Sequence, residues 1–522
     1  MTRLTYLGHA CFFFETDKAA VLIDPWLSPA GAFLGAWRQL PPNAHALDWV
    51  LAKMREKPVM VYTTHEHEDH YDEETLRKIL PYADHMCIPA YENTFLKKLI
   101  VNNLGVTPQI LSKDDPQKFH DIDFRIFIDE SGINRDSAIF LRTEGLSFFD
   151  SNDCKIFDRA KWLVERCGSI DIMSSQFSGA NMHPICYELT EEEYKKSSRQ
   201  KKIRKFIAIR NFIHNMKPRY YMPSAGPAVF AFPEHEHLNF EDDNIFPKWW
   251  EFHDYIKDKE PDVSCVPLDV LGSVAPDGNG GFVFDRIAKP LSNDDIRDMI
   301  QYYRDIDSKS PKPPALDRDY ILDYFEHEII KKIDVLKNNP NLTLGCVLYF
   351  DVRDASGISN IYAIDPQNPS LSKVSAVDIS KPYYLHTTDV SAIEKLIHSG
   401  KGWGTYFLSF LFRSRRVPDV FDSAMGTFFV ANDDDDLDFG LKKLVQFRSS
   451  DECITISSAD DLTSVTCRRF CPHQGADLKY AAFDGKYVIC PRHQWRFDCE
   501  NGGKADNSMD TIDAIITKKI VD

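Results

Sequence analysis

Four residues with metal-ligand chemistry, His65, His67, Asp69 and His70, stand in His-x-His-x-Asp-His order inside Pro58–Asp72, PVMVYTTHEHEDHYD. Side chains alternate along an extended chain, so His65 and His67 point the same way and can hold one metal ion. Asp69 and His70 follow at once and are placed to hold a second. Imidazole mixed with carboxylate suits zinc or iron. A His-rich surface loop is the plainer alternative, but a strand leading straight into these ligand types favours the metal.

A second constellation lies near the other end. Cys471-Pro472-His473-Gln474-Gly475 comes first, and Cys490-Pro491-Arg492-His493-Gln494-Trp495-Arg496-Phe497 follows, with 16 residues between His473 and Cys490. Two thiolates and two imidazoles could make a zinc site. The split into two loops, each giving one of each, favours a [2Fe–2S] cluster instead: Cys471 and Cys490 on one iron, His473 and His493 on the other. The Cys-Pro steps and Gly475 let backbone amides turn toward cluster sulfurs. Cys467 and Cys499 stand outside these loops and read as structural thiols.

The elements that must position these residues can be read in outline. Val59–Tyr62 is apolar and β-favouring, and Thr63-Thr64 ends it. Leu4–Glu15 and Ala19–Asp24 read as two strands joined by a polar turn. Glu73–Leu80 has helical character; 122–128, 137–141, 146–150 and 170–174 read as further strands, an alternation that predicts α/β layers. Residues 191–217 predict one helix, with Lys195, Lys196, Arg199, Lys201, Lys202, Arg204, Lys205 and Arg210 on a solvated basic face. Its apolar face carries Ile203, Phe206, Ile207 and Ile213. Ser308–Pro314 is the clearest linker, and Asp433–Asp436 reads as another. The expected domains are therefore 1–307, 315–432 and 437–522. The middle one shows no chemical motif; its Gly-Lys-Gly-Trp turn resembles sterol-carrier-like modules only faintly, and a packing or dimerising role is preferred.

At 522 residues the chain is long enough for several cores. A net charge of −17 argues against nucleic acid as a partner. No apolar run reaches the roughly 18 residues that a membrane span needs. Twelve scattered cysteines lack the density of a disulfide scaffold, and the first residues make a poor signal peptide, so a cytoplasmic location is expected.

Known families carry the same motifs. The last eighty or so residues resemble Rieske ferredoxins. Respiratory Rieske proteins have an extra cysteine in each loop, where this chain has Ala476 and Arg492; its second loop looks like the oxygenase type, which implies a lower potential. The first 280 residues resemble the metallo-β-lactamase fold, an αββα sandwich with metals at one edge. Gly8-His9-Ala10-Cys11 and Leu22-Ile23-Asp24-Pro25-Trp26 look like opening motifs of its lactonase-like branch, in which the Asp buttresses the His loop. Asn152-Asp153-Cys154 stands where that family has Gly-Asp, which makes Asp153 the candidate bridging carboxylate. Two departures matter. A lone family His is missing, with Asp129, Glu130 and Asn134 in its neighbourhood, and Ser224-Ala225-Gly226 replaces the last one. The remaining positions are then open or filled by His183, His235 or His237.

The resemblance implies a fold class of α/β sandwich, α+β middle domain and small all-β Rieske domain. Both ends together resemble the CMP-N-acetylneuraminate hydroxylases, with Gln176–Ala180 and Pro223–Gly226 among the shared pieces, but in that family the Rieske module comes first. The implied function is an O₂-dependent non-haem iron or diiron monooxygenase, metal held by His65, His67, Asp69, His70, Asp153, His183 and His237, with Asp69, His70 and Asp153 at the reacting centre. Electrons would come singly from an external ferredoxin or flavin reductase through the Rieske cluster, since no G-x-G-x-x-G marks a nicotinamide or flavin site. The two centres would meet within one chain or across a homodimer, and the small-molecule substrate would be a nucleotide sugar or a metabolite amine or amide. The rivals are a zinc hydrolase of this fold, its cluster serving as redox sensor, and a non-catalytic redox scaffold.

Overall fold

The computed structural model describes residues 2–518 except 131–134, 343, 461 and 507 and the side chain of Glu130. The chain divides into two compact units. One holds the chain up to Pro311; the other begins at Lys312 and also takes in Asn181–Ser197.

The first unit owes its layers to strict alternation. In Phe12-Phe13-Phe14, Phe12 and Phe14 enter a core with Ile126, Leu141 and Phe148, while Phe13 joins Val50, Val61 and Leu76 on the opposite face. Met60 and Tyr62 divide from Val59 and Val61 in the same way. Successive side chains of a strand leave by opposite faces, so one strand serves two layers. The result is two stacked sheets with helices outside.

The first sheet runs Phe282–Ile287, Leu268–Pro276, Arg3–Gly8, Cys11–Glu15, Ala20–Ile23, Val59–Tyr62, His85–Pro89 and Gln109–Leu111 in spatial order. Helices Ala46–Met54, Glu73–Ile79 and Phe95–Leu104 cover it. The second sheet runs Ser264–Cys265, Tyr220–Ser224, Ile172–Gln176, Ser147–Asp150, Arg135–Arg142, Ile122–Glu130 and Gln117–Phe119. Helices Ala160–Cys167, Glu191–Met216 and Trp249–Ile256 cover that one. This is the expected αββα sandwich.

The stretch expected as a single strand over Leu4–Glu15 is two strands, paired antiparallel and turned at His9-Ala10. Gly8 at φ 107° and His9 at φ 50° make the turn, which an unbroken apolar sequence hides. The parallel strands then deliver the chemistry. Asp24 follows Ala20–Ile23, the histidine run follows Val59–Tyr62, and Asp153 follows Ser147–Asp150. All three strands have parallel neighbours, and ligands of such sheets gather beyond the carboxyl ends.

The long helix departs from expectation. Lys202 is bonded to Glu251 at 3.1 Å and Arg210 to Glu260 at 2.7 Å, so much of the basic face is paired rather than solvated. Ile203, expected on its apolar face, is exposed.

In the second unit, a sheet ordered Leu371–Val374, Ser359–Ile364, Val347–Arg353, Tyr383–Asp389 and Phe412–Val417 precedes two small antiparallel sheets. Those are Cys453–Ser457, Thr463–Arg468 and Ile515–Lys518, and Ala482–Phe483, Tyr487–Ile489, Arg496–Asp498 and Lys504–Ala505. The acidic run is not a linker. Asp433 caps helix Asp434–Arg448 by accepting from the Asp436 amide at 2.8 Å, and acidic side chains are favoured at that end of a helix. Leu437, Leu441 and Leu444 of the same helix are buried. Among the described residues no helix is long and apolar enough to cross a membrane.

Phe148 is fully buried, its ring 5.0 Å from that of Phe12 across the sandwich. Phe148→Ala should destabilise the first unit by about 3–5 kcal/mol, read as a lower urea midpoint for its unfolding step. An unchanged midpoint would contradict this account of the core.

Candidate metal centre and candidate cluster site

Asp24 organises the first site. It is fully buried and accepts from the Thr64 amide at 2.8 Å, the Thr64 hydroxyl at 2.7 Å and His70 Nδ1 at 2.7 Å. With Nδ1 committed, His70 turns Nε2 into the site, 3.8 Å from Asp69 Oδ2 and 3.6 Å from Asp153 Oδ1. A carboxylate behind an imidazole is the usual way to fix the orientation of a metal-binding histidine.

The other groups converge from separate turns. His65 Nε2 lies 2.9 Å from His67 Nδ1. Behind it, His65 Nδ1 is 3.0 Å from the Thr64 hydroxyl and 3.4 Å from Asp136. Asp153 sits in a turn whose Asn152 side chain donates to the Ser137 carbonyl at 2.9 Å, and whose Asn152 carbonyl accepts from the Gln176 amide at 2.8 Å. A buried pair, Arg135 with Glu66 at 2.5 Å, ties the histidine loop to the second sheet. Two groups of potential ligands emerge among the described residues, His65–His70–Asp153 and His9–Asp69–His70. His70 belongs to both.

His70 Nε2, Asp69 Oδ1 and Asp153 Oδ1 are buried and have no hydrogen-bond partner among the described residues. Each such atom costs about 1–3 kcal/mol, more where charged, unless something satisfies it. Burial disfavours a cationic His70, yet Asp69, Asp24 and Asp153 outweigh it and lift its pKa to about 10. The same field favours a divalent cation. Burial, with His70, His67 and Lys155 nearby, keeps His65 neutral, the form that ligates. The residues present therefore fit a metal centre of mixed imidazole and carboxylate ligands.

Not every candidate joins. His237 is about half exposed and lies 3.7 Å from Glu241, and His183 pairs with Asp419 at 3.6 Å; neither enters the two groups. His235 is buried against Phe232 but is in neither group. Asp129 is buried, 4.0 Å from Arg159. Asn134 and the Glu130 side chain lie outside the described residues. In place of the last family histidine, Ala225 gives its amide to the His9 carbonyl at 2.9 Å, and a Cβ on Gly226 would stand 2.6 Å from the Ser178 Cβ. That loop is filled by backbone.

Two residues were not anticipated as part of the centre. His9 reaches Asp69 at 2.9 Å, and the signal was a lone polar residue in an apolar hairpin. Asp136 is the second residue of strand Arg135–Arg142 and is buried there, a place where an ionisable group has to be explained by its partner.

In the second site Cys471 and Cys490 are both buried, while His473 and His493 are half-buried with ring centres 4.7 Å apart. Cys471 draws the Cys490 thiol down, helped by the amides of Arg492 and His493; burial pushes Cys471 up against the amides of His473 and Gln474. Amides aimed at both sulfurs suit thiolates holding a cluster. The His473 ring stacks on Trp495 at 4.2 Å, and Arg492 joins the loops by donating to the Gln474 carbonyl at 3.1 Å. Gly475 takes φ 63°, and a Cβ there would lie 2.4 Å from the Phe447 ring.

Comparison with known proteins gives the same division. Residues 3–131 match the family model described as beta-lactamase superfamily domain, and residues 427–514 match that of the Rieske [2Fe-2S] domain. The chain joins a metallo-β-lactamase-fold domain to a Rieske domain. A Rieske 2Fe-2S iron-sulfur protein of Mycobacterium tuberculosis is 24% identical over 96% of this chain and 97% of its own length. The cytidine monophosphate-N-acetylneuraminic acid hydroxylase of Pongo pygmaeus is 23% identical over 80% of this chain and 71% of its own. Among solved structures, CmlA, a diiron β-hydroxylase from Streptomyces venezuelae, aligns with TM-score 0.30 and 18% identity over 43% of this chain and 44% of that one. The Rieske domain here is C-terminal to the metallo-β-lactamase-fold domain.

Asp24→Asn removes the charge that holds His70 without changing its size. It should weaken metal binding about 10–100-fold in competition with a chromophoric chelator, leaving the cluster absorption alone. Gly475→Ala should give protein purified with less [2Fe–2S] per chain; full loading would mean that the Phe447 contact does not constrain the loop.

Proposed function

We propose that the protein is an O₂-dependent non-haem iron hydroxylase that receives electrons through its own Rieske domain. The observation that carries this reading is the convergence of orphaned ligand atoms on His70, Asp69 and Asp153 in a chain that also presents the paired Cys and His loops. Two named relatives lend support, one a Rieske iron-sulfur protein and the other a hydroxylase. The metal ligands we assign are His65, His67, Asp69, His70 and Asp153, with His9 as an added candidate; the cluster ligands are Cys471, His473, Cys490 and His493. Bound there, iron supplies O₂ activation and the cluster supplies one-electron transfer.

The protein's own residues have separable tasks. Asp24 keeps Nδ1 of His70 as a donor, so that Nε2 stays turned inward. Asp136 and Thr64 do the same for His65. Phe33, with Trp37, Phe230 and Phe246 behind it, sets a buried aromatic wall edge-on to His67 and excludes water from that side. Half-buried imidazoles beside buried thiols support electron exchange through the histidine side of the Rieske site. An external ferredoxin or flavin reductase is the electron source we assign, and a small molecule such as a nucleotide sugar, amine or amide is the substrate.

Metal analysis of anaerobically purified protein tests this against the zinc hydrolase. About four irons per chain, two beyond the cluster's pair, is the expected result. About two irons with stoichiometric zinc would falsify the hydroxylase. Asp153→Ala should remove the non-cluster iron while the Rieske EPR signal stays unchanged.

A further inference from the structure

Residues 418–422 lead from strand Phe412–Val417 into helix Ser423–Val430, ahead of the stretch 427–514 that matches the Rieske domain. Their Phe421 reaches the cluster site all the same. Its ring stands nearly perpendicular to that of His473, with centres 5.3 Å apart and planes at 87°, and meets Trp495 at 5.9 Å and 85°. Trp495 in turn lies flat on His473, 4.2 Å away with planes 5° apart, and His493 stands 4.7 Å off at 64°. Three rings thus meet one imidazole, and Phe421 is the one that comes from outside the Rieske stretch. Perpendicular contact at this spacing is a favourable geometry for aromatic pairs.

The Phe421 ring is held on both sides. Phe421 forms a parallel bridge with Ser508 and packs against the core that contains Cys471, Cys490 and Trp495. Asp422, the next residue, caps helix Ser423–Val430 with one oxygen, accepting from the Ala424 amide at 2.8 Å and the Met425 amide at 3.0 Å. Its other oxygen accepts from the Gly345 amide at 2.7 Å. That helix is itself anchored, with Ala424, Met425, Phe428 and Phe429 buried. A cap of this kind is worth about 1 kcal/mol. The place of Phe421 is therefore set by the middle stretch of the chain and by the Rieske stretch at once.

That position has an electrostatic consequence. A cluster held by two thiolates and two neutral imidazoles gains a negative charge on reduction, and its potential depends on how far solvent reaches it. Both cysteines are buried here while His473 and His493 are half-buried, so water has its access along the imidazoles. An apolar ring laid against His473 narrows that access. The added electron is then less well solvated, and the potential is lower.

We propose that Phe421 is a positioning residue of the cluster site: it braces the His473 ring against Trp495 and keeps water from that imidazole, holding the reduction potential down. A stretch with no chemical motif of its own thereby contributes a wall to the site. This rests on the assignment of Cys471, His473, Cys490 and His493 as cluster ligands, and not on which metal occupies the other centre.

The test is a redox titration of the full-length protein carrying its cluster, with EPR of the reduced form, for Phe421→Leu, Phe421→Val and Phe421→Ala. At unchanged [2Fe–2S] content the midpoint should rise in that order. Poised at the native midpoint, Phe421→Ala should show a ratio of reduced to oxidised cluster at least about threefold higher, and Phe421→Leu, which keeps the site apolar, a ratio within about twofold of native. Deuterium couplings to the reduced cluster in D₂O should strengthen in the same order, as water enters the vacated volume. Equal midpoints across the series, or a fall, overturn the proposal. If Phe421→Ala holds no cluster, the Leu and Val variants decide by the same order. Loss of the cluster from Phe421→Leu as well also overturns it, because the ring would then serve folding. Native protein without a Rieske spectrum would remove the cluster reading, and this proposal with it, before any variant is compared.

Discussion

A carboxylate sealed from water fixes the geometry of the metal centre. Asp24 sits at the end of one parallel strand and takes hydrogen bonds from Thr64, at the end of the next, and from His70, farther along the same loop. Neighbouring strands of a sheet lie about 4.8 Å apart, so a single side chain can span them. Burial pushes the Asp24 carboxyl above its ordinary range, and His70 and Thr64 offset only part of that cost. Removing any one donor would leave the buried carboxylate less well compensated. The loop bearing His65, His67, Asp69 and His70 is thus set by the sheet rather than by its own flexibility.

From that anchor follows a candidate centre that mixes the imidazoles of His65 and His70 with the carboxylates of Asp69 and Asp153. The sheet end where a further histidine would enter is occupied by Ala225 and Gly226, packed against Ser178 and bonded to the His9 backbone. His9 takes up part of the vacated role by reaching Asp69 from the opening hairpin. A donor set of imidazole and carboxylate suits either zinc or iron. The fold alone does not choose between them, since one fold hosts many reactions.

Much of this was legible in the residues. The His-x-His-x-Asp-His run, Asp24 and the Asn152-Asp153 turn occupy recognisable spacings, and the parallel strands that bring them together are strongly apolar. What was hidden has physical reasons. The break at Gly8-His9 depends on a backbone angle, not on a change of polarity. Asp433–Asp436 has the composition of a linker, yet it opens a helix because Asp436 is buried and accepts from the Asn432 amide at 2.9 Å. Single histidines carry little positional information, and His183 and His237 found acidic neighbours of their own. Ile203 shows the limit of a helical periodicity: in a helix buried along a narrow stripe, a one-position drift puts an apolar residue in solvent.

The Rieske loops show how one substitution can act in two directions. Where related proteins have a cysteine pair, this chain has Ala476, buried, and Arg492, also buried and bonded to the Gln474 carbonyl. The guanidinium takes over the mechanical task of linking the loops by a hydrogen bond. It also places a fixed positive charge beside Cys490, whose thiol it helps to draw down. Positive charge near a cluster favours the added electron, which opposes the lower potential expected from the oxygenase-type loop. The His473 ring stacks on the buried Trp495 and is itself only half-buried, while both cysteines are sealed.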